Sequence, residues 1–190
     1  MLIKFDKNTL YRIKDSIIIK DDFYWQNNDV NCYGYSINAD LPKNEICYDN
    51  KDYNEFYGFN LGAVSGNYSH FYSDSDVKKV LYADCDILNL DIKEVDYKHE
   101  LQKRSEWLIS LYNSESFYQD GRIVNDYHFL KKLYGVDKWS HKRFMKEIKY
   151  SDDSNNELDD LTNAKIFVKC MGKIINYKYI GSFVLSKKKG

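Results

Sequence analysis

Short runs of β-branched and aromatic residues fill the first half of the chain, and this pattern constrains the fold more than any other feature. The runs include LIKF, TLYRI and SIIIK, with Asp, Asn or Lys residues between them. NCYGYSI, at residues 31–37, has an alternating pattern. Such runs, punctuated by turn residues, are typical of short antiparallel strands. We therefore expect residues 1–95 to be mainly β-sheet, with a long strand near 77–90.

The pattern changes near Asp96, where apolar residues begin to recur at helical spacing. In HELQKRSEWLISLYN the apolar positions 101, 108, 111 and 112 form one stripe, and Asp96 is a candidate cap. A second helix is expected in NDYHFLKKLY, where Gly135 would end it in a left-handed conformation. DKWSHKRFMKEIKY predicts a third helix at about 137–150. Three helices are therefore expected within about 97–150.

The last part of the chain predicts a loop and then a β-hairpin. Residues 151–163 read SDDSNNELDDLTN, which is polar, acidic and without periodicity. AKIFVKC and IINYKYIGSFVLS, within 164–186, flank a turn near Gly172. A chain of 190 residues suits one domain. The expected architecture is a single α+β domain: 1–95 mainly β with an antiparallel sheet, 96–150 helical, then the loop and the hairpin.

Composition indicates an ordinary soluble globular protein, and the N-terminus leads us to expect it in the cytoplasm of its own cell or of a host cell. Hydrophobic residues make up 43% of the chain and charged residues 30%. No apolar run approaches the roughly 20 residues that span a bilayer, and charges at Lys4, Asp6 and Lys7 interrupt the N-terminus, unlike a secretory signal. The sequence lacks GxxxxGK[ST], GxGxxG, HExxH and CxxC. We therefore expect neither a phosphate-binding loop nor a zinc site.

Asp84 and Asp86, two residues apart, interrupt the apolar run LYADCDILNLDI. On a strand, Asp84 and Asp86 would point to the same side, about 7 Å apart, and carboxylate oxygens suit Mg²⁺ or Mn²⁺. The segment VKKVLYADCDILNLDI resembles the DxD segment of the retaining family 8 glycosyltransferases. That resemblance implies that the two aspartates would hold Mn²⁺ and a sugar nucleotide. The alternative is a structural role, on a solvated strand face or in a salt-bridged pair.

A basic, aromatic segment lies in the expected second and third helices. Its candidate contact residues for a nucleic acid or another partner are Lys131, Lys132, Lys138, Trp139, Lys142, Arg143, Lys146 and Lys149. On a helix, the lysines at 138, 142, 146 and 149 would form one positive ridge. Such a ridge attracts phosphate, and Arg143 is the best candidate for a base contact. An acidic protein surface is an alternative partner, and a plain amphipathic helix that buries Trp139 and exposes its lysines is another.

The segment FLKKLYGVDKWSHKRFMKEI, residues 129–148, also resembles the helix-turn-helix of DNA-binding proteins. In that motif a glycine lies in the turn and the second helix enters the major groove. The resemblance implies that Leu130, Tyr134 and Val136 pack the motif and that the chain binds DNA.

The leading hypothesis is a non-enzymatic, macromolecule-binding accessory or inhibitor protein that uses the basic segment. Residues 1–100 carry an acidic excess and 101–190 a basic excess, which indicates a charged partner or attraction between the halves. Abundant Tyr, Asn, Lys and Ile have A/T-rich codons, which suits a phage, a mobile element, a low-GC bacterium or a eukaryotic parasite. The alternatives are DNA binding and metal-dependent sugar-nucleotide transfer, and only the transferase would need Mn²⁺ or Mg²⁺.

Overall fold

The computed structural model describes residues 18–19, 31–40, 61–62, 64–65, 73–119, 122–143, 147–170 and 172–189. These residues contain two helices, α1 (Cys32–Ser36) and α2 (Asp74–Ile87). They contain eleven strands: β1 (Ile18–Ile19), β2 (Ala39–Asp40), β3 (Leu90–Val95), β4 (Glu106–Ser114), β5 (Phe117–Gln119), β6 (Arg122–Val124), β7 (Tyr127–Leu133), β8 (Ser140–Lys142), β9 (Ile148–Lys149), β10 (Ile166–Cys170) and β11 (Lys173–Lys187). The predictions for LIKF and TLYRI fall outside the described residues.

A seven-stranded antiparallel sheet organises the fold, with the order β10-β11-β4-β7-β8-β9. The long strand β11 pairs along one side with β4. Its other side pairs first with β10 and then with β3. Two short ribbons, β1-β2 and β5-β6, complete the described strands. The expectation of a strand-rich antiparallel α+β protein is therefore confirmed, but the described sheet lies in residues 90–187 rather than in 1–95.

Hydrophobic clusters cover both faces of the sheet, and strand β4 contributes to both. Ile109 and Leu111 face the helix-side cluster, which also includes Tyr33 of α1 and Leu81 of α2. The intervening positions face the loop-side cluster, whose buried members are Leu108, Tyr112, Leu130, Trp139, Leu158, Leu161, Ile166 and Tyr177. A strand buried on both faces carries apolar residues at successive positions rather than at alternate ones.

The prediction of three helices within about 97–150 is wrong. WLISLY lies in β4, HFLKKL lies in β7, and the expected third helix contains β8 and β9. The physical reason is that a continuous apolar run has no clear period, so burial on both faces of a sheet imitates a helical stripe. Gly135 does adopt the left-handed conformation, with φ of 72°, but it follows a strand in a turn closed by Val136 N–H donating to Leu133 O.

The predicted strand near 77–90 is also wrong, because its residues form α2. Ser73 caps this helix by accepting a hydrogen bond from Asp76 N–H, and Asp74 and Asp76 occupy the first turn, where the helix dipole favours carboxylates. Its buried side chains are Val77, Val80, Leu81, Asp84 and Cys85, a helical spacing. NCYGYSI likewise forms α1 rather than a strand, with Asn31 as its cap.

The predicted C-terminal hairpin is present as β10 and β11, which pair from Cys170↔Lys173 to Ile166↔Tyr177. Gly172 lies in its turn with φ of 76°, a conformation that glycine adopts without steric cost. Residues 151–163 form no helix or named strand, and an isolated bridge joins Ser151 to Glu157. Neither described helix is long and apolar enough to cross a membrane.

Candidate functional site

The predicted metal pair, Asp84 and Asp86, does not share a face. Residues that are two positions apart on an α-helix differ by about 200° around its axis. Helix α2 therefore directs the side chains of Asp84 and Asp86 to nearly opposite sides. Asp84 is fully buried, whereas Asp86 is exposed and its carboxylate accepts a hydrogen bond from Lys188 Nζ at 2.6 Å. The prediction of two carboxylates on one face was therefore wrong because the strand was wrong.

Asp84 anchors three separate parts of the chain instead. Its Oδ2 accepts hydrogen bonds from Tyr33 O–H at 2.9 Å and Gly62 N–H at 2.7 Å, and its Oδ1 accepts from Ser65 N–H at 2.9 Å. Burial raises the pKa of this carboxyl group, although the hydrogen bonds favour its charged form. Asp84 thus holds Gly62, Ser65 and α1 against α2, which is a structural role.

Lys131, predicted to lie on an exposed ridge, is buried. Its Nζ donates to Tyr35 O and Asn38 Oδ1, both at 2.8 Å, and lies 3.8 Å from the centre of the Tyr35 ring. Burial lowers the pKa of this amine to about 7. The lysine therefore joins β7 to α1 and is not available to an external phosphate.

The remaining basic residues do not form a ridge either, because the described residues of the segment lie in strands and turns rather than in a helix. Lys142 is also buried, at 1% exposure. Lys132 forms an ion pair with Asp137 at 3.0 Å, and Arg143 donates to both carboxylate oxygens of Asp153. Trp139 belongs to the loop-side cluster, Lys138 and Lys149 are exposed, and Lys146 lies outside the described residues.

A groove of about 910 Å³ lies beside this basic segment. Residues 97–101, 132–139, Tyr150 and 157–159 line it, and we call it the loop groove. The buried side chains of Trp139 and Leu158 contribute to the lining, so the loop-side cluster forms its base. Loops carried by a rigid sheet are a common setting for binding surfaces.

Exposed apolar side chains are concentrated in the loop groove. Tyr134 is 44% exposed, Val136 38% and Tyr150 56%, and the other exposed large hydrophobic residues of the described chain are Tyr82 and Ile174. Three of these five therefore line one groove. Large aromatic side chains with both exposed rings and polar tips are characteristic of contact surfaces.

A buried polar network, the histidine cluster, ties one wall of the groove to the sheet. His128 and His141 are buried, and Nε2 of His128 lies 2.8 Å from Nδ1 of His141. Nε2 of His141 lies 2.8 Å from the carbonyl oxygen of Ser151. Because a carbonyl only accepts, His141 carries its proton on Nε2, and the neutral ring then accepts from Nε2–H of His128.

Charged residues extend the histidine cluster. Arg143 pairs with Asp153 and lies over the Tyr177 ring, 5.4 Å from its centre. The Tyr177 hydroxyl donates to Asp126. Two loop residues, Ser151 and Asp153, are therefore bound by β8 and by the residue that follows it. These contacts hold the chain that leads from Tyr150 to the 157–159 wall.

Burial sets the protonation of this cluster. It lowers the pKa of His128 well below the usual histidine value, with repulsion from Arg143 adding to the effect, and it lowers the pKa of His141. Burial also raises the pKa of the nearby Cys32 thiol to about 12. Cys32 is thus a thiol rather than a nucleophilic thiolate near neutral pH. Because both histidines are shielded from solvent, the cluster is suited to anchoring the loop.

Sequence reasoning identified the 131–149 segment but missed most of the groove around it. Tyr97, Tyr150 and the 157–159 wall come from regions predicted as helix or loop, and they meet only in three dimensions. The one available signal was the abundance of tyrosine, 18 residues in all, which does not indicate which rings are exposed. His128 and His141 gave no signal, because their spacing matches no ligand or catalytic motif.

The described residues contain no group of three or more His, Cys, Asp or Glu side chains arranged to hold a metal ion. Comparison with protein-family models, with curated proteins and with solved structures finds no match for this chain.

Proposed function

We propose that this chain is a non-enzymatic cytoplasmic binding protein that holds a protein partner in the loop groove, in the role of an accessory or inhibitor protein. One observation carries the proposal: Tyr134, Val136 and Tyr150, three of the five exposed large hydrophobic residues described, converge on one groove. Exposed apolar side chains grouped at a concave, loop-lined site are typical of protein contact surfaces.

The charges of the groove support a protein rather than a nucleic acid. Its lining includes three lysines, Lys98, Lys132 and Lys138, and four carboxylates, Glu100, Asp137, Glu157 and Asp159. A surface that binds phosphates needs a positive excess, because counterion release supplies most of the affinity for a nucleic acid. The groove has no such excess, although the sequence pattern around it predicted one.

The anchored walls of the groove favour binding by a preformed surface. His141 and Arg143 hold Ser151 and Asp153, and Asp152 accepts backbone hydrogen bonds from Ser154, Asn156 and Lys165. Tyr97 O–H donates to Asp160 Oδ1 at 3.3 Å, which joins the 97–101 wall to the 157–159 wall. Because little ordering is needed on association, such a surface loses less conformational entropy when it binds.

The test is binding of the labelled protein to an array of random-sequence peptides. We expect the wild type to bind a subset of the peptides. The double variant Tyr134→Ala, Tyr150→Ala should lose at least about tenfold in binding signal on that subset, because buried aromatic anchors carry much of the affinity of an interface. The matched control is Ile174→Ala, which removes a side chain as exposed as Tyr150, at 56%, from outside the groove.

The control variant should bind the same subset as the wild type, and all three proteins should have the same thermal unfolding midpoint within a few degrees. Binding that is equal in the double variant and the wild type would contradict the proposal. A wild type that binds no peptide of the array would contradict it as well.

A further inference from the structure

We infer that the occupant of the loop groove is a cationic segment of a protein, one in which arginine or lysine side chains alternate with apolar ones. The inference rests on the proposed function and specifies its partner. It reverses the expectation that this region docks an acidic surface. Three of the five described lysines of the segment are buried or paired, whereas carboxylates line the groove.

The carboxylates of Glu100, Glu157 and Asp159 are exposed on two walls of the groove. None of the three forms a hydrogen bond or ion pair through its side chain with another residue that the structure describes. Neighbouring acidic residues differ: Asp160 accepts from Thr162 and Asn163, and Asp152 from backbone amides. Three of the four acidic residues that line the groove are therefore open to an external cation, and the fourth, Asp137, is paired with Lys132.

The positive charges of the groove are already largely engaged. Lys132 is paired with Asp137 at 3.0 Å, and Nζ of Lys98 lies 5.4 Å from the centre of the Tyr97 ring. Lys138 is then the one groove lysine without such a contact among the described residues. Three open carboxylates against one open lysine favour a partner with positive charge.

The aromatic rings of the groove suit the same partner. Lys98 above Tyr97 shows that a groove tyrosine holds a cation on its face. Tyr134 and Tyr150 expose further rings in the same groove. Arginine combines a planar cation, which stacks on such rings, with paired donors that match a carboxylate. Apolar side chains between the cations would cover the exposed rings and Val136.

The experiment uses two short fluorescein-labelled peptides in which arginine, or its uncharged isostere citrulline, alternates with leucine and serine. Fluorescence anisotropy measures the affinity of the full chain for each. We expect the arginine peptide to bind roughly tenfold more tightly, because three exposed charge pairs each contribute a modest amount. Added salt should reduce this preference.

The groove variant combines Glu100→Gln, Glu157→Gln and Asp159→Asn. It should lose the preference for arginine while keeping its thermal unfolding midpoint. The matched control removes the same charge elsewhere, through Asp91→Asn, Glu115→Gln and Glu147→Gln at exposed positions outside the groove. The control should keep the wild-type preference for the arginine peptide, since only charges at the contact surface distinguish strongly between arginine and citrulline.

Several results would overturn the inference. They are equal affinity of the wild type for both peptides, no binding of either, an unchanged preference in the groove variant, or the same loss in the control. Salt-sensitive binding of duplex DNA that the groove variant alters would assign the groove to nucleic acid instead. If the peptides bound on the array through Tyr134 and Tyr150 lack cations, the proposed function stands and this inference fails.

Discussion

At the residue scale, Lys131 is the clearest departure from ordinary surface chemistry. Its amine is buried against Tyr35 and Asn38 and meets no carboxylate among the described residues. Burial therefore lowers its pKa to about 7, because the amine loses its hydration and no described carboxylate offsets that loss. The burial of Lys131 could not be predicted from the sequence. In FLKKLY it stands next to a second lysine, Lys132, which is only half-buried and is ion-paired, and nothing in the sequence distinguishes the two.

We predict that Lys131 makes the protein more stable as pH rises from about 7 to about 10. In that window the folded state has released the proton and the unfolded state still binds it, so the free energy of unfolding increases with pH, by up to roughly 4 kcal/mol. Lys131→Met removes the titrating group, so its stability should lack this rise. Urea unfolding of both proteins across the window measures the difference.

The comparison between variants is needed because the buried thiols make the free energy of unfolding fall as pH rises, opposite to the effect of Lys131. Burial raises the pKa of Cys32 and Cys85 to about 12, so they lower stability as the unfolded thiols ionise, but they do so equally in both proteins. Lys132→Met is the matched control on the same strand and should follow the wild type. The prediction would be refuted if the free energy of unfolding changed with pH in the same way in the wild type and in Lys131→Met.

At the scale of the element, helix α2 shows how secondary structure assigns different roles to neighbouring aspartates. Its buried stripe runs through Val77, Leu81 and Asp84, and Asp86 falls on the opposite side. The helix could have been predicted from the Ser73 cap and from this spacing. The β-branched and apolar residues of VKKVLYADCDIL concealed it, because the alternation of a strand also fits them.

We predict that Asp84→Asn destabilises the protein by about 1–3 kcal/mol, because an amide can accept on only one of its two terminal atoms and leaves a buried donor unpaired. The donors that now bind Asp84, one of which would lose its acceptor, are Tyr33 O–H, Gly62 N–H and Ser65 N–H. Asp86→Asn, in the same helix, removes only an exposed ion pair with Lys188 and should change stability little. Urea midpoints compare the two variants, and equal midpoints would contradict the assigned roles.

At the scale of the whole molecule, the sheet is covered on both faces, by helices on one and by irregular chain on the other. Leu158 and Leu161 come from the acidic segment 151–163 and are buried in the loop-side cluster. The Tyr112 hydroxyl donates to Leu161 O at 2.7 Å, so the segment is bound to β4 as well. The sequence predicts a loop here, and the segment contributes two buried leucines to the core.

We predict that Leu161→Ala lowers the free energy of unfolding by about 2–5 kcal/mol, as expected for a fully buried leucine. The backbone hydrogen bond from Tyr112 remains in the variant, so the loss reports on packing alone. Ile174→Ala, at a position 56% exposed, should stay within about 0.5 kcal/mol of the wild type. If Leu161→Ala left the free energy of unfolding unchanged, the segment would not contribute to the core as proposed.

The sequence by itself determined features that depend on neighbours along the chain. These are the strand-rich character, the hairpin around Gly172 and the left-handed conformation of Gly135, because turn chemistry and β-branched runs act over a few residues. Only the tertiary structure decided that WLISLY is a strand. Its hydrogen-bonding partners lie far away in sequence, as in the Ser110↔Ser182 pairing, and an apolar run buried on both faces has no period of its own. Long-range packing likewise brought His128 to His141 and assembled the loop groove from residues 97–101, 132–139, 150 and 157–159.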